Sequence, residues 1–261
     1  MNSETFSLHF EDRGIGVPTL LIHGFPFSGL LWARQSEALS EQARLLVPDL
    51  PGFGNSPLAD TSYTMDRYVE DCVAVLDALG LLEPITIGGL SMGGYIALAF
   101  ARNFPERVGR LLLFSTRAGA DSAEAKAARD KTIAQVEEHG SSAVTEAMYP
   151  KLLAPAAYSE NPGAAAELQM VMQTASAEGI IAALRAMRDR PDSSDLLGKL
   201  QVPTLIVHGR EDQIIPPSEA EAMAKAIPNS ELHLIDSTGH LPNLEKPDEF
   251  NRIVATFLGN H

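Results

Sequence analysis

A serine flanked by glycines is the feature of this sequence that most directly predicts chemistry. Ser91 lies in the segment GLSMG at positions 89–93, which follows an apolar run typical of a strand and precedes a segment typical of a helix. A tight strand–turn–helix connection needs small residues around the serine, because larger side chains would collide and the serine itself takes strained dihedrals. The following helix directs its positive end toward the site. The segment therefore predicts a nucleophilic serine at a strand tip.

A serine hydroxyl becomes a good nucleophile only with a base, and the base needs an orienting carboxylate. Of the seven histidines, His240 follows the last predicted strand and is the predicted base. Asp212, in the segment GREDQIIP, follows the preceding strand and is the predicted partner of His240, with Glu211 as the alternative. Active sites of open α/β sheets lie at the carboxyl edge of the strands. The order Ser91, Asp212, His240 differs from both main serine-protease orders.

The tetrahedral intermediate of such a reaction also needs hydrogen-bond donors aimed at its oxyanion. The N–H of Met92, directly after the nucleophile, is the first predicted donor. The second is the N–H of Phe25 in the segment HGFP at 23–26, where Gly24 allows a close approach and Pro26 has no N–H to offer. We expect His23 to brace this loop rather than to take part in the chemistry.

The elements that would position these residues follow from an alternation of short apolar runs with amphipathic segments, which is typical of βαβ units. The predicted strands are 6–10, 18–23, 45–47, 85–87, 110–114, 204–207 and 232–235, and the predicted helices are 30–40, 65–79, 93–103, 217–226 and 247–258. Between 117 and 197 the chain is alanine-rich with no strand pattern. This predicts a core of residues 1–116 and 198–261 with a helical cap at 117–197.

Composition excludes several functions. The net charge of −14 argues against a protein that binds nucleic acid or an anionic membrane, and it mildly disfavours anionic substrates. The one cysteine, Cys72, has no partner for a disulfide and is predicted to fill the core. No membrane-length apolar run, signal peptide, metal-binding spacing or nucleotide-binding loop is visible, so we expect a cytoplasmic protein without metal or cofactor, a monomer or homodimer.

Taken together, these segments resemble the α/β-hydrolase superfamily over essentially the whole chain. The matching segments are HGFP at 23–26, DLPGFGNS at 49–56, GLSMGG at 89–94, GREDQIIP at 209–216 and GHLPNLEKP at 239–247. The resemblance implies a mostly parallel eight-stranded sheet flanked by helices, with a helical cap inserted after the sixth strand. It also implies the triad Ser91–Asp212–His240. Within the superfamily the chain looks most like small intracellular esterases and the 3-oxoadipate enol-lactonase-like branch.

The predicted function is therefore hydrolysis of small, mostly neutral carboxylic esters through an acyl-enzyme intermediate. The main competing hypothesis is a lactonase acting on an enol-lactone or an acyl-homoserine lactone. Less favoured are a carbon–carbon bond hydrolase, a cofactor-free perhydrolase or haloperoxidase, and a non-catalytic ligand receptor. Trp32, Arg117, Met148 and Met187 are candidates for the pocket wall, although each could instead pack in the core or lie at the surface.

Overall fold

A single seven-stranded sheet forms the centre of the computed structural model, which describes residues 8–58 and 62–260. The strands are β1 (Phe10–Arg13), β2 (Val17–Ile22), β3 (Ala43–Pro48), β4 (Ile85–Leu90), β5 (Val108–Phe114), β6 (Thr204–Gly209) and β7 (Ser230–Ile235). Their order across the sheet is β1-β3-β2-β4-β5-β6-β7. Strand β1 is antiparallel to β3, and all the remaining neighbours are parallel.

The predicted mostly parallel sheet is confirmed, with seven strands in the described residues rather than the implied eight. The strand predicted at 6–10 begins only at Phe10, and residues 1–7 lie outside the described residues. Every residue of β4 and β6 is buried. Such strands need apolar side chains on both faces because helices cover both sides of a parallel sheet, which explains their continuous apolar sequences.

Helices cover both faces of the sheet. They are α1 (Ala33–Leu39), α2 (Met65–Ala78), α3 (Met92–Asn103), α4 (Ala123–His139), α5 (Ser142–Leu152), α6 (Ala157–Glu160), α7 (Pro162–Val171), α8 (Ala177–Arg188), α9 (Ser194–Leu197), α10 (Pro217–Ala226), α11 (Pro242–Glu245) and α12 (Pro247–Asn260). Local signals set several boundaries. The Thr64 side chain accepts the Arg67 N–H at the start of α2. Pro217 occupies the first turn of α10.

Two apolar cores lie on opposite faces of the sheet, because side chains alternate along each strand. Leu20 and Leu46 contribute to one core, whereas their chain neighbours Leu21 and Leu45 contribute to the second. Trp32 is fully buried in the second core, with its ring centroid 5.8 Å from that of Phe114. Of the two alternatives for Trp32, the structure shows core packing and not the pocket wall, because core side chains enclose the indole.

The chain between β5 and β6 folds into helices α4 to α9, which fall within the segment predicted to be a cap and are called here the insertion (residues 117–197). The insertion docks on the glycine-rich loop at 49–56. A β-bridge joins Phe53 to Ala175, and a Cβ on Gly179 would lie only 2.3 Å from the oxygen of Gly52. In the described parts of the chain, no helix combines the length and apolarity that crossing a bilayer requires.

Candidate active site

The turn at Ser91 has the strained geometry that its glycine neighbours predict. Ser91 has φ 55° and ψ −110°, between the end of β4 and the start of α3. A Cβ on Gly89 would lie 2.1 Å from the carbonyl carbon of Gly93, and a Cβ on Gly93 would lie 2.2 Å from the Ile22 oxygen. The hydroxyl of Thr116 donates to the Ser91 carbonyl at 2.8 Å. Only glycine fits on either side of this turn, so the turn holds the serine at the tip of β4.

His240 and Asp212 form the predicted pair. His240 Nδ1 lies 2.7 Å from Asp212 Oδ2, and both side chains are buried. The second oxygen, Oδ1, accepts the N–H groups of Ile214 and Ile215. Burial opposes ionisation of Asp212, but the charge of His240 and the hydrogen bonds from His208, His240 and Ile215 hold its pKa well below the usual range. An ionised Asp212 keeps the proton of His240 on Nδ1 and leaves Nε2 free to act as a base.

A second histidine, which the sequence analysis did not assign to the site, contacts the same carboxylate. His208 Nε2 lies 3.1 Å from Asp212 Oδ2 and 2.9 Å from the Ile215 oxygen. Its Nδ1 is buried without a hydrogen-bond partner in the described structure. Because both partners of Nε2 are acceptors, these contacts require a proton on Nε2. The spacing of four residues between His208 and Asp212, across the turn after β6, is the sequence signal that could have indicated this contact.

The loop after β2 passes close to the serine turn. A Cβ on Gly24 would lie 3.4 Å from Ser91 Cβ, so the following residue, Phe25, is brought beside the turn. His23 is buried, its Nε2 accepts the Leu50 N–H at 3.0 Å, and its Nδ1 lies 2.9 Å from the Gly24 oxygen. Burial lowers the pKa of His23 to about 4, against the smaller effects of Gly24 and Asp49, so this imidazole stays neutral and braces the loop.

A cavity of about 310 Å³ opens at Ser91 between the core and the insertion. The predicted pocket residues Arg117, Met148 and Met187 all line it, as does the side chain of Phe25. Apolar side chains from α5 and α8 make up much of the wall. The cavity has room for a small substrate whose reacting carbonyl would lie at Ser91.

One wall of the cavity carries a charge cluster that the sequence analysis missed. Asp121 Oδ1 accepts from Arg117 at 2.6 Å and from Arg190 at 2.7 Å, and Oδ2 accepts from Arg129. Burial opposes ionisation of Asp121, but the hydrogen bonds and charges of Arg129 and Arg190 lower its pKa to about 2. Arg190 also donates to two backbone carbonyls and lies over the ring of Tyr95. Arg117, Arg129 and Asp121 line the cavity, whereas Arg190 does not. The charges of Glu219 and Asp192 act on Arg117 and Arg190, respectively. The charged residues of the lining therefore comprise two arginines and one carboxylate.

Cys72 lies in the apolar core and is not among the residues that line this cavity. Cys72 is fully buried, and burial raises the pKa of its thiol far above the usual range, as expected of a core residue. Within residues 8–58 and 62–260, no group of three His, Cys, Asp or Glu side chains is arranged to hold a metal ion. His261 lies outside the described residues.

Comparison with known proteins gives one family match and several similar proteins. Residues 19–253 match the sequence model of the alpha/beta hydrolase family. The chain is 41% identical to a thermophilic esterase from Thermogutta terrifontis, solved with malate bound, with a TM-score of 0.94 over 97% of this chain and 93% of that one. It is 25% identical to the enol-lactonase from Burkholderia xenovorans LB400, with a TM-score of 0.88 over 97% and 96% of the two chains. It is also 33% identical to a 2-hydroxymuconate semialdehyde hydrolase from Pseudomonas putida, over 97% of this chain and 91% of that protein.

Proposed function

The chain belongs to the alpha/beta hydrolase family, and we propose that it hydrolyses small carboxylic esters with Ser91 as the nucleophile. The observation that carries this proposal is the strained turn that holds Ser91 in the lining of a cavity of substrate size. A protein that only binds a ligand has no use for such strain, because residues in sparsely populated dihedrals cost of order 1–3 kcal/mol each. The buried pair of His240 and Asp212 supplies the base that an alcohol nucleophile needs.

In the proposed acylation step, His240 Nε2 takes the proton of Ser91 as the hydroxyl oxygen attacks the ester carbonyl. The N–H groups of Phe25 and Met92 donate to the resulting oxyanion. Met92 suits this role because it is the first residue of α3, where backbone N–H groups have no acceptor within the helix. His240 then protonates the leaving alcohol, and the C–O bond breaks to give the acyl-enzyme.

In the proposed deacylation step, His240 removes a proton from water, and the oxygen of that water attacks the acyl carbon. The second tetrahedral intermediate collapses, the carboxylic acid leaves, and the proton returns to Ser91 through His240. Asp212 keeps the imidazole in one tautomer and stabilises its charged form in both steps. The substrate, one water molecule and these side chains account for every proton moved and every bond formed or broken in the two steps.

Carbon–carbon bond hydrolysis is the second candidate function. The similarity to a 2-hydroxymuconate semialdehyde hydrolase over nearly the whole chain favours it. The similarity to the Thermogutta esterase and to the enol-lactonase favours ester or lactone hydrolysis instead. We place ester hydrolysis first because the esterase has the higher identity, 41% against 33%.

The charge cluster bears on the substrate. Arg117 and Arg129 line the same cavity as Ser91, and the one carboxylate in that lining, Asp121, cannot neutralise both. We expect the substrate to carry a carboxylate beside its scissile bond, which argues against the preference for neutral esters predicted from overall composition. The net charge of the whole chain is a poor guide here, because a buried local field outweighs distant, solvent-screened charges.

A substrate panel tests the proposal. The initial rates to measure are those for p-nitrophenyl esters of increasing acyl length, γ- and δ-lactones, an acyl-homoserine lactone and 2-hydroxymuconate semialdehyde, with Ser91→Ala as the blank. We expect esters to turn over and Ser91→Ala to be inactive but folded. Preference for lactones by tenfold or more, about 1.4 kcal/mol of transition-state binding, would make the protein a lactonase. Turnover of the semialdehyde alone would establish the second candidate, and wild-type activity in Ser91→Ala would exclude Ser91 as the nucleophile.

A further inference from the structure

Glu245 is a buried carboxylate that the proposed mechanism leaves without a task. It ends α11, is 5% exposed, and forms no ion pair in the parts of the chain that the structure describes. Burial raises its pKa to about 7, and the nearby charge of Asp212 acts in the same direction, while hydrogen bonds from backbone N–H groups oppose the rise. Burying a carboxylate without a cation is costly. An apolar side chain would fill the same space without this cost. The presence of a carboxylate therefore indicates that the hydrogen bonds of Glu245 have a function.

Those contacts join two segments that are distant in sequence. Oε1 accepts the N–H of Gly239 at 2.8 Å, and Oε2 accepts the N–H of Ala154 at 2.8 Å. Gly239 directly precedes His240, whereas Ala154 belongs to the insertion and follows α5. The carboxylate therefore lies between the loop that carries the predicted base and a segment of the wall that covers the cavity.

Further contacts hold the same two segments together. The N–H of His240 donates to the Leu152 oxygen at 2.9 Å. A Cβ on Gly239 would lie 2.5 Å from the nitrogen of Ala154, so the two backbones are in direct contact. On its opposite side the loop packs on the core, where a Cβ on Gly209 would lie 2.0 Å from the Gly239 oxygen. The position of His240 thus depends on the contact between the backbones of Gly239 and Ala154, and the Glu245 side chain hydrogen-bonds to both.

We propose that Glu245 is a positioning residue, whose carboxylate holds Gly239 against Ala154 and thereby fixes the imidazole of His240 relative to Ser91. The proposal rests on the proposed role of His240 as the base. It also makes the base depend on the docked insertion. An outward displacement of residues 152–154 would break the bonds to Glu245 and to the His240 N–H, so the base is held in place only while the insertion covers the cavity.

The variant Glu245→Gln tests this inference, because the amide keeps the shape of the side chain but has a single acceptor oxygen. Its NH₂ group would face one of the two backbone N–H groups, so one of the two bonds is lost. We expect kcat to fall by roughly tenfold to hundredfold, as for a small displacement of a catalytic group, with KM changed less than about twofold. The matched control is Glu249→Gln, four residues further along at an exposed position in the first turn of α12.

A spectroscopic measurement separates positioning from a loss of stability. The hydrogen bond between His240 and Asp212 should give a strongly downfield proton resonance, assigned by its absence in His240→Gln. We expect this resonance to shift or broaden in Glu245→Gln and to stay unchanged in Glu249→Gln, with both variants folded by circular dichroism. An unchanged resonance and kcat in folded Glu245→Gln, or a fall in kcat that only matches a loss of folded protein, would overturn the inference. If the wild-type protein hydrolysed no ester, the proposed function would fail, and the resonance would still decide the role of Glu245.

Discussion

Asp212 is the residue on which the orientation of His240 depends. Its replacement by asparagine keeps the size of the side chain but removes the charge that stabilises the imidazolium and selects the tautomer. We expect Asp212→Asn to lower kcat by roughly 10³–10⁴-fold, as the equivalent change does in a serine protease. The variant should still fold, because its amide oxygen can keep the bonds from Ile214 and Ile215. Steady-state kinetics with unfolding curves check this, and a loss below tenfold would mean that another carboxylate, such as Glu211, orients His240.

Arg117 is the residue that tests whether the cavity selects for acids. Its removal leaves Asp121 paired with Arg129 and Arg190, so the cluster keeps its carboxylate neutralised. We expect Arg117→Gln to lower kcat/KM about tenfold or more for p-nitrophenyl hydrogen glutarate, since hydrogen bonds to charged groups contribute about 1.5–3 kcal/mol. The terminal amide of the same ester has nearly the same shape but no charge, and its kcat/KM should be affected little.

The matched control for Arg117→Gln is Arg185→Gln. Arg185 lies on α8, as does the cavity residue Met187, but its side chain is 42% exposed and makes a loose ion pair with Glu137 at 3.7 Å. Arg185→Gln should leave kcat/KM unchanged for both the acid and the amide. Equal losses for the acid and the amide in Arg117→Gln would show that the arginine shapes the cavity without recognising a carboxylate.

At the level of elements, the contact of α3 with the end of β2 sets the stability of the serine turn. A Cβ on Gly93 would meet the Ile22 oxygen at 2.2 Å, and backbone cannot yield as a side chain can. We expect Gly93→Ala to destabilise the fold by several kcal/mol, about 4 or more. Gly259→Ala is the control, because it adds the same methyl group in α12 with no atom within 4 Å, and it should be neutral or stabilising by up to about 1 kcal/mol. Thermal unfolding of both variants compares them, and equal melting temperatures would contradict the argument.

The elements also show which parts of the site could be predicted from sequence. The serine turn was predictable because the backbone requires small residues there, and both glycines that meet this requirement lie within a segment of five residues. Asp212 and His240 could be placed because parallel strands end at one edge of a sheet. The cluster around Asp121 was not predictable, because Arg129 and Arg190 reach it only through the packing of inserted helices. For Trp32 the sequence left the pocket wall and the core as alternatives, because the identity of one aromatic residue does not show where its side chain packs.

At the scale of the whole molecule, two buried groups with opposite shifts contribute to the dependence of stability on pH. The pKa of His23 falls from 6.5 to about 4 on folding, so the unfolded chain binds more protons between these values and stability rises with pH across that range. The pKa of Glu245 rises from 4.5 to about 7, so the folded chain binds more protons and stability falls as pH rises through that range. Each group changes the free energy of unfolding by at most about 1.4 kcal/mol per pH unit.

Because the two ranges overlap, the contributions of His23 and Glu245 should nearly cancel between about pH 4.5 and 6.5. We expect the wild-type free energy of unfolding to be almost constant there and to fall at lower pH, as Asp121 and Asp212 lose the stabilisation that their lowered pKa values represent. In Glu245→Gln only the His23 contribution remains, so stability should rise with pH across the same range. Urea unfolding at about pH 4.5, 5.5 and 6.5 measures both slopes. Equal slopes for the two proteins would mean that the pKa of Glu245 is the same in the folded and the unfolded chain. Water would then hydrate this carboxylate in the folded protein.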